Sequence, residues 1–91
     1  MWYGSLGPAR ALQYYIGMMN TSTLTEVQKV ELNYNDDARC AATQLIESVN
    51  QGQYSINEAV HEVLPFEWSF SPSERAMIQA IIEATTGQKA E

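Results

Sequence analysis

One pattern occurs three times in the chain: a serine or threonine is followed, three residues later, by a glutamate. It stands at residues 23–26, 55–58 and 71–74. In such a capping box the hydroxyl oxygen accepts a hydrogen bond from the glutamate amide, and the glutamate side chain reaches back to the first residue. We therefore expect a helix to start at each of the three places. The start at residue 71 is the strongest, because Pro72 suits the first helical position.

The spacing of apolar residues predicts how far the first helices run. Over residues 7–19 they recur at intervals of three and four, which predicts an N-terminal helix. Over residues 24–50 a longer stripe predicts a second helix, with the box at Thr23 as its start and Gly52 just past its end. The stripe consists of Val27, Val30, Tyr34, Ala38, Ala41, Leu45 and Val49.

Residues 33–37, Asn-Tyr-Asn-Asp-Asp, are the weak point of this second helix. Five poor helix formers in a row cost about 3 kcal/mol relative to alanines. Asn35 is also suited to cap a new helix, with Asp36 and Asp37 in its first turn. Two interpretations are therefore open. The unbroken phase of the apolar stripe favours one continuous helix, and we predict that one.

The second half of the chain predicts two further helices. A short one runs from the box at Ser55 through Val63, where Pro65 stops it by disfavouring helical geometry at Leu64. The last one runs over residues 72–86 and ends at Gly87. The predicted fold is thus an all-α, single-domain bundle of three to four helices over residues 1–86, with one long central helix and a flexible tail at residues 87–91.

The charge of the chain excludes several classes of partner. Of its 91 residues eleven are acidic and five are basic, for a formal net charge of -6, and the basic residues are scattered. Since phosphate contacts supply much of the affinity of nucleic-acid-binding proteins, we expect no direct nucleic-acid binding. The anionic membrane surface is disfavoured for the same reason. An acidic surface favours solubility or a basic partner.

The first residues and the cysteine count bear on location. Residues 1–19 have neither the basic start of a signal peptide nor an uninterrupted apolar span, since Arg10 interrupts them. Cys40 is the only cysteine, so the chain cannot form an intramolecular disulfide. The cysteine count therefore gives no sign of an oxidising compartment. We expect a cytoplasmic protein without a membrane span.

Catalytic residues are not apparent in the sequence. Nucleophilic catalysis would require Cys40 to be activated by His61. Cys40 stands among alanines beside the apolar stripe, which is typical of a small buried residue. His61 stands between Glu58 and Glu62, which is typical of an exposed histidine. We expect no enzyme.

Metal and cofactor sites are also not expected. Asn33, Asn35 and Asp37 imitate the start of a calcium loop, but Ala38 and Gln44 stand where that loop needs glycine and a bidentate glutamate. One cysteine and one histidine are too few for a zinc site. The five glycines are spread along the chain and form no phosphate-binding loop.

The segment Pro-Phe-Glu-Trp-Ser-Phe-Ser-Pro, residues 65–72, places Phe66, Trp68 and Phe70 at alternate positions. In an extended segment all three would face the same way. They would then cover either a groove of the protein's own bundle or a groove on a partner. Tryptophan often dominates the binding energy of an interface, and surplus apolar surface marks one.

Together these features predict a non-enzymatic protein-protein interaction module. It would be an acidic inhibitor or adaptor that docks on a larger protein with a basic surface, such as one that handles nucleic acid. In composition it is analogous to phage inhibitors of bacterial machinery, immunity proteins and antitoxins. The predicted partner-binding residues are the aromatic anchors Phe66, Trp68 and Phe70 and the acids Glu26, Glu31, Asp36 and Asp37.

The alternative is a homo-oligomeric helical protein with a structural or small-ligand-binding role. The helices predicted for residues 7–19 and 72–86 are apolar over more than half of their circumference. Such helices can pack against copies of themselves and leave ligand sites between subunits.

Overall fold

A computed structural model describes residues 19–91 as four helices. They are α1 (Glu26–Asn33), α2 (Asp36–Asn50), α3 (residues 56–67) and α4 (Pro72–Thr86). α3 consists of the consecutive pieces Ile56–Glu58, Ala59–Val63 and Leu64–Glu67, of which the middle one is a π-helix. No strand occurs within residues 19–91, so the predicted all-α bundle is confirmed. Of the helix predicted for residues 7–19, all but Met19 lies outside the described residues.

The core is centred on the contact between α2 and α4, which is the most extensive helix contact of the described chain. Besides Leu45 and Val49, α2 contributes small side chains at three- and four-residue spacing, and α4 contributes large ones. The small side chains of α2 and the large ones of α4 are fully buried: Ala38, Ala41 and Ala42 on α2, and Met77, Ile78, Ile81 and Ile82 on α4. Burying each of the four large ones contributes roughly 1.5–3 kcal/mol.

The continuous helix predicted over residues 24–50 is wrong, because the chain breaks at Tyr34 and Asn35. The Asn35 side chain accepts a hydrogen bond from the Ala38 amide at 3.0 Å and caps α2. Its amide nitrogen donates to Glu74 Oε2 at 2.8 Å, on the first turn of α4. The acceptor of this second hydrogen bond, Glu74, is 39 positions away in the sequence. The spacing of apolar residues over 24–50 therefore cannot indicate the break.

Arg39 closes the same break from the other side. Its guanidinium donates to the carbonyl oxygens of Leu32 and Asn33 at 2.9 and 2.6 Å, and it forms an ion pair with Asp36. The last carbonyls of a helix have no partner within that helix. Arg39 supplies that partner to α1 and so holds the end of α1 against the start of α2.

The start of α1 differs from the prediction by two residues. The cap is Thr25 rather than Thr23, and its capping box is closed by Gln28 rather than Glu26. The Gln28 amide donates to the Thr25 hydroxyl at 3.1 Å, and the Thr25 amide donates to Gln28 Oε1 at 2.9 Å. The preceding residues form a turn in which Leu24 is buried, which delays the helix.

The two later capping boxes are confirmed, at Ser55 with Glu58 and at Ser71 with Glu74. Both predicted glycine ends are confirmed as well. Gly52 follows α2 with φ of 77° and Gly87 follows α4 with φ of 75°. In this left-handed region a side chain is disfavoured, so glycine is suited to both positions.

The predicted end of the third helix at Val63 is wrong, because α3 continues past Pro65 to Glu67. Leu64 keeps helical geometry, with φ of -58° and ψ of -51°, and its amide donates to the Ala59 carbonyl five residues back. The ring of a helical proline clashes with the carbonyl four residues before it. The wider π turn before Pro65 gives the proline ring more room. Leu64, which follows this turn, is fully buried.

The segment predicted as a tail makes contacts with two helices. The Ala90 amide donates to Glu83 Oε2 at 2.9 Å, on α4. The Glu91 amide donates to Asn57 Oδ1 at 2.8 Å, and the Glu91 carbonyl oxygen lies 2.8 Å from His61 Nε2, both on α3. The last residues therefore lie across α3 and α4. The flexibility of residues 87–91 stays a prediction.

We expect Asn35→Ala to destabilise the fold by about 1–2 kcal/mol. The substitution removes the cap of α2 and leaves one oxygen of Glu74 without its partner. Urea unfolding followed by circular dichroism measures the change. Asn33→Ala, two residues away on the exposed end of α1, is the matched control and should change the free energy of unfolding by less than about 0.5 kcal/mol. Equal effects of the two substitutions would contradict the role of Asn35.

Stability should also depend on the charge of Glu74. The backbone amide of Ser71 and, next, the side-chain amide of Asn35 lower the pKa of the Glu74 carboxyl. A lowered pKa means that the charged form stabilises the folded state at neutral pH and that this contribution is lost as the pH falls through the folded-state pKa.

The difference in unfolding free energy between the wild type and Glu74→Gln should therefore shrink between about pH 6 and about pH 3. Urea unfolding at several pH values within this range measures it. A difference that stays constant over the range would show that the charge of Glu74 contributes nothing.

Candidate protein-binding surfaces

Four large apolar residues of the described chain remain exposed. Val27, Val30 and Tyr34 are 76%, 56% and 87% exposed, and Phe66 is 84% exposed. The first three belong to α1 and its C-cap, and Phe66 belongs to α3. The large residues of α4, by contrast, are all buried. Within residues 19–91, two separate surfaces therefore combine large apolar side chains with access to solvent.

The first surface is one side of α1. Val27, Val30 and Tyr34 are spaced by three and four residues and therefore lie on the same side of the helix, whereas the buried Leu32 lies on the other side. We call this side the α1 face. The sequence predicted the reverse, with these three residues in the core stripe. The break at Asn35 decouples the phase of α1 from that of α2, and Leu32 is the only residue of α1 that is buried in the core.

The four predicted acids lie on α1 and on the first turn of α2. Helix geometry places Glu26 and Glu31 on either side of the apolar row of the α1 face. Glu26 pairs with Lys29 at 3.2 Å, and Asp36 pairs with Arg39. Glu31 and Asp37 form no ion pair within residues 19–91. Half of the predicted acids thus keep an uncompensated negative charge in the described part of the chain.

The three predicted aromatic anchors do not share one face. Phe66 is helical and exposed, while Trp68 and Phe70 lie in the extended connection before α4. The rings of Trp68 and Phe70 stack with centroids 6.3 Å apart, and both pack against the protein's own core. The Arg75 guanidinium donates to the Phe70 carbonyl oxygen at 2.7 Å and fixes the connection. Trp68 and Phe70 therefore cover this chain's own bundle.

The second surface is a groove of about 400 Å³ beside α3, which we call the α3 groove. Its lining comes from the α3 helix and from the loop before it. Four lining positions on the helix, 62, 63, 66 and 67, recur on one side of it. The lining residues are Tyr54, Glu62, Val63, Phe66 and Glu67. Sequence reasoning missed the groove, because it ended the helix before Phe66 and Glu67.

Another groove, of about 350 Å³, lies where residues 87–89 run beside α4. Its lining includes Ala80 and Ala84 of α4. The only carboxylate in its lining, that of Glu83, already accepts hydrogen bonds from Gln79 and from the Ala90 amide. The other charged residue in its lining, Lys89, is exposed and forms no ion pair within residues 19–91, so this groove offers a cation but no free carboxylate.

The residues considered for catalysis are not brought together by a hydrogen bond. Cys40 is half-buried on α2, and His61 is exposed on α3, where its Nε2 contacts the Glu91 carbonyl oxygen. Within residues 19–91 no three side chains of the metal-binding types are grouped to hold an ion. None of the four described helices has the length and apolar content that a membrane crossing requires.

Comparison of the chain with models of known protein families, with curated proteins and with solved structures gives no match in any of the three. The function is therefore inferred from the chemistry of the two surfaces.

The placement of the aromatic residues predicts opposite effects of two substitutions. Trp68→Ala should destabilise the fold by roughly 2–3 kcal/mol, somewhat less than the loss of a fully buried aromatic, because Trp68 is half-buried. Phe66→Ala should change the free energy of unfolding by less than about 0.5 kcal/mol, since Phe66 is exposed. Urea unfolding measures both. A Trp68→Ala variant as stable as the wild type would show that Trp68 does not support the core.

Proposed function

We propose that the chain is a non-enzymatic protein-protein interaction module, an inhibitor or adaptor that docks through the α1 face on the basic surface of a larger protein. The observation that carries the proposal is the exposure of Val27, Val30 and Tyr34 in one row between two glutamates. The part of the fold that the structure describes does not use these side chains, because Leu32 is the residue of α1 that is buried there. A protein-binding role gives them a use.

The α1 face has the composition of a small interface. Interfaces combine an apolar centre, from which water is excluded, with a polar rim. Val27, Val30 and Tyr34 supply the centre, and Glu26 and Glu31 supply the rim. Tyrosine is enriched among the residues that dominate binding energy, and Tyr34 is the most exposed of the three. We therefore expect Tyr34 to be the anchor.

Charge supports a basic partner. The net charge of the chain is -6, and Glu31 and Asp37 are not compensated within the described residues. Lys29, the one base on α1, is engaged by Glu26. Complementary charges speed association and discourage wrong partners. A protein that handles nucleic acid presents such a basic surface, and covering it is how an inhibitor of the phage, anti-defence or antitoxin type would act.

A second copy of this chain is a less suitable occupant of the α1 face. In a two-fold symmetric contact the same surface of both copies meets, so that Glu31 of one copy would approach acids of the other. Like charges at an interface are unfavourable. The large residues of α4, on which the oligomer hypothesis partly rested, are all buried within the chain. The proposal includes a cytoplasmic location, where such a partner would be met.

Native mass spectrometry of the protein drawn gently from lysate of its own host tests the proposal. We expect one copy or a few copies bound to a larger protein. The double variant Val27→Gln, Val30→Gln should bind the identified and purified partner at least about tenfold more weakly, because two apolar contacts are lost. Its free energy of unfolding should stay within about 0.5 kcal/mol of the wild type, since both residues are exposed.

Ala76→Gln is the matched control, because it makes the same kind of change at an exposed position of α4. It should leave the affinity unchanged. The association rate should fall steeply with salt, and Glu31→Gln should lower that rate more than Glu26→Gln, since Glu26 is already paired. Complexes that are only multiples of 10.2 kDa, or a double variant that binds like the wild type, would contradict the proposal.

A further inference from the structure

We propose that the α3 groove is a second binding site, separate from the α1 face, and that it receives the arginine side chain of a flexible polypeptide segment. The site would add a specific contact to the α1 face rather than depend on it.

The floor and wall of the groove differ in how firmly they are held. Tyr54 and Val63 are half-buried and pack against the core, so that the floor is fixed by the fold. Phe66 is 84% exposed and forms the wall. Phe66, Tyr54 and Val63 give the open groove an apolar side next to its carboxylates. The cleft volume of about 400 Å³ is within the range of ligand sites, about 300–1,000 Å³.

The charged groups of the groove indicate a cationic ligand. Glu62 and Glu67 line it, and no arginine, lysine or histidine does. Within residues 19–91 neither carboxylate takes part in a hydrogen bond or an ion pair, whereas the Glu58 carboxylate, on the same helix, is occupied by the Ser55 amide. The faces of the Phe66 and Tyr54 rings carry partial negative charge and also attract cations.

The combination of rings and carboxylates favours arginine over other cations. Calcium takes six to eight oxygen ligands, and two glutamates and one phenol are too few. A lysine ammonium is compact and strongly hydrated, and it cannot stack on a ring. A guanidinium is planar, more weakly hydrated and able to stack on Phe66 or Tyr54 while its nitrogens donate to Glu62 or Glu67.

The π turn of α3 is what creates the groove. Because α3 continues past Pro65, Phe66 and Glu67 lie one turn beyond Glu62 and Val63 on the same side of the helix. A helix that ended before Pro65 would leave Tyr54 and Val63 without a wall. π turns within helices occur frequently at functional sites.

Titration of the ¹⁵N-labelled full chain with the peptide acetyl-Gly-Arg-Gly-amide, followed by NMR, tests the proposal. We expect saturable shifts in the millimolar range, confined to the amides of the five lining residues and their neighbours. Acetyl-Gly-Lys-Gly-amide should bind about threefold to fivefold more weakly, because it does not stack. Acetyl-Gly-Gln-Gly-amide, which is uncharged, should cause no saturable shift.

Variants separate this site from general attraction by an acidic protein. Phe66→Ala and the double variant Glu62→Gln, Glu67→Gln should each weaken the arginine peptide at least about threefold. Because these residues are exposed, we expect the variants to fold. Unchanged chemical shifts of the core amides will show that they do. Glu31→Gln, which also removes one exposed charge, should leave the affinity unchanged.

Three results would overturn the proposal: shifts spread over Glu31 and Asp37 as strongly as over the groove, equal affinity for the arginine and lysine peptides, or variants that bind like the wild type. The Val27→Gln, Val30→Gln variant distinguishes the two proposals. It should bind the arginine peptide normally, even though it is expected to lose the partner of the α1 face.

Discussion

The fold depends on the contact between α2 and α4, whose core combines alanines, Leu45 and Val49 of α2 with large side chains of α4. Alanines on α2 allow the two backbones to approach closely, and the methionine and isoleucines of α4 fill the space between them. The bond from Asn35 to Glu74 then fixes the two N-terminal ends against each other. α1 attaches to this pair through one buried side chain, Leu32, whereas α3 attaches through several, with Ile56, Val60 and Leu64 the large ones.

This arrangement separates the requirements of folding from those of binding. The helices that carry the core expose no large apolar residue within residues 19–91, and the two attached helices expose all four. Val27 and Phe66 can therefore be changed at little cost to stability, while Ile78 or Ile81 cannot, since loss of a fully buried isoleucine costs about 2–5 kcal/mol. A partner would therefore contact side chains that the core holds in position but that can be substituted with little loss of stability.

Local signals made much of the fold predictable from the sequence. The boxes at Ser55 and Ser71 act within four residues, so they are readable without knowledge of the tertiary structure. The break at Asn35 was the less favoured interpretation, because the bond that supports it comes from Glu74, far along the chain. The continuation of α3 past Pro65 was not predicted. Pro65 disfavours helical geometry at Leu64, but the burial of Leu64 outweighs this local preference.

The same limit applied to the candidate site. Alternation placed Phe66, Trp68 and Phe70 on one face only on the assumption of an extended segment, and that assumption failed at Phe66, which is helical. The groove with Tyr54 required both the extended helix and the tertiary placement of the preceding loop. The exposure of Val27 could not be predicted either, because the helical spacing of apolar residues shows which residues share a side but not which side is buried.

The acids of the chain divide according to what their carboxylates contact. Glu58 and Glu74 accept hydrogen bonds from backbone amides at helix starts, so that their negative charge stabilises the fold. Glu31, Glu62 and Glu67 have no such partner in the described part of the chain, and they lie beside exposed apolar side chains. A carboxylate in that position is free to pair with a cation that a ligand brings to the neighbouring apolar side chains. The net charge of -6 is therefore not uniform in its effect: one group of acids fixes helix starts, and the other is the group on which the proposed preference of the α1 face and the α3 groove for basic ligands rests.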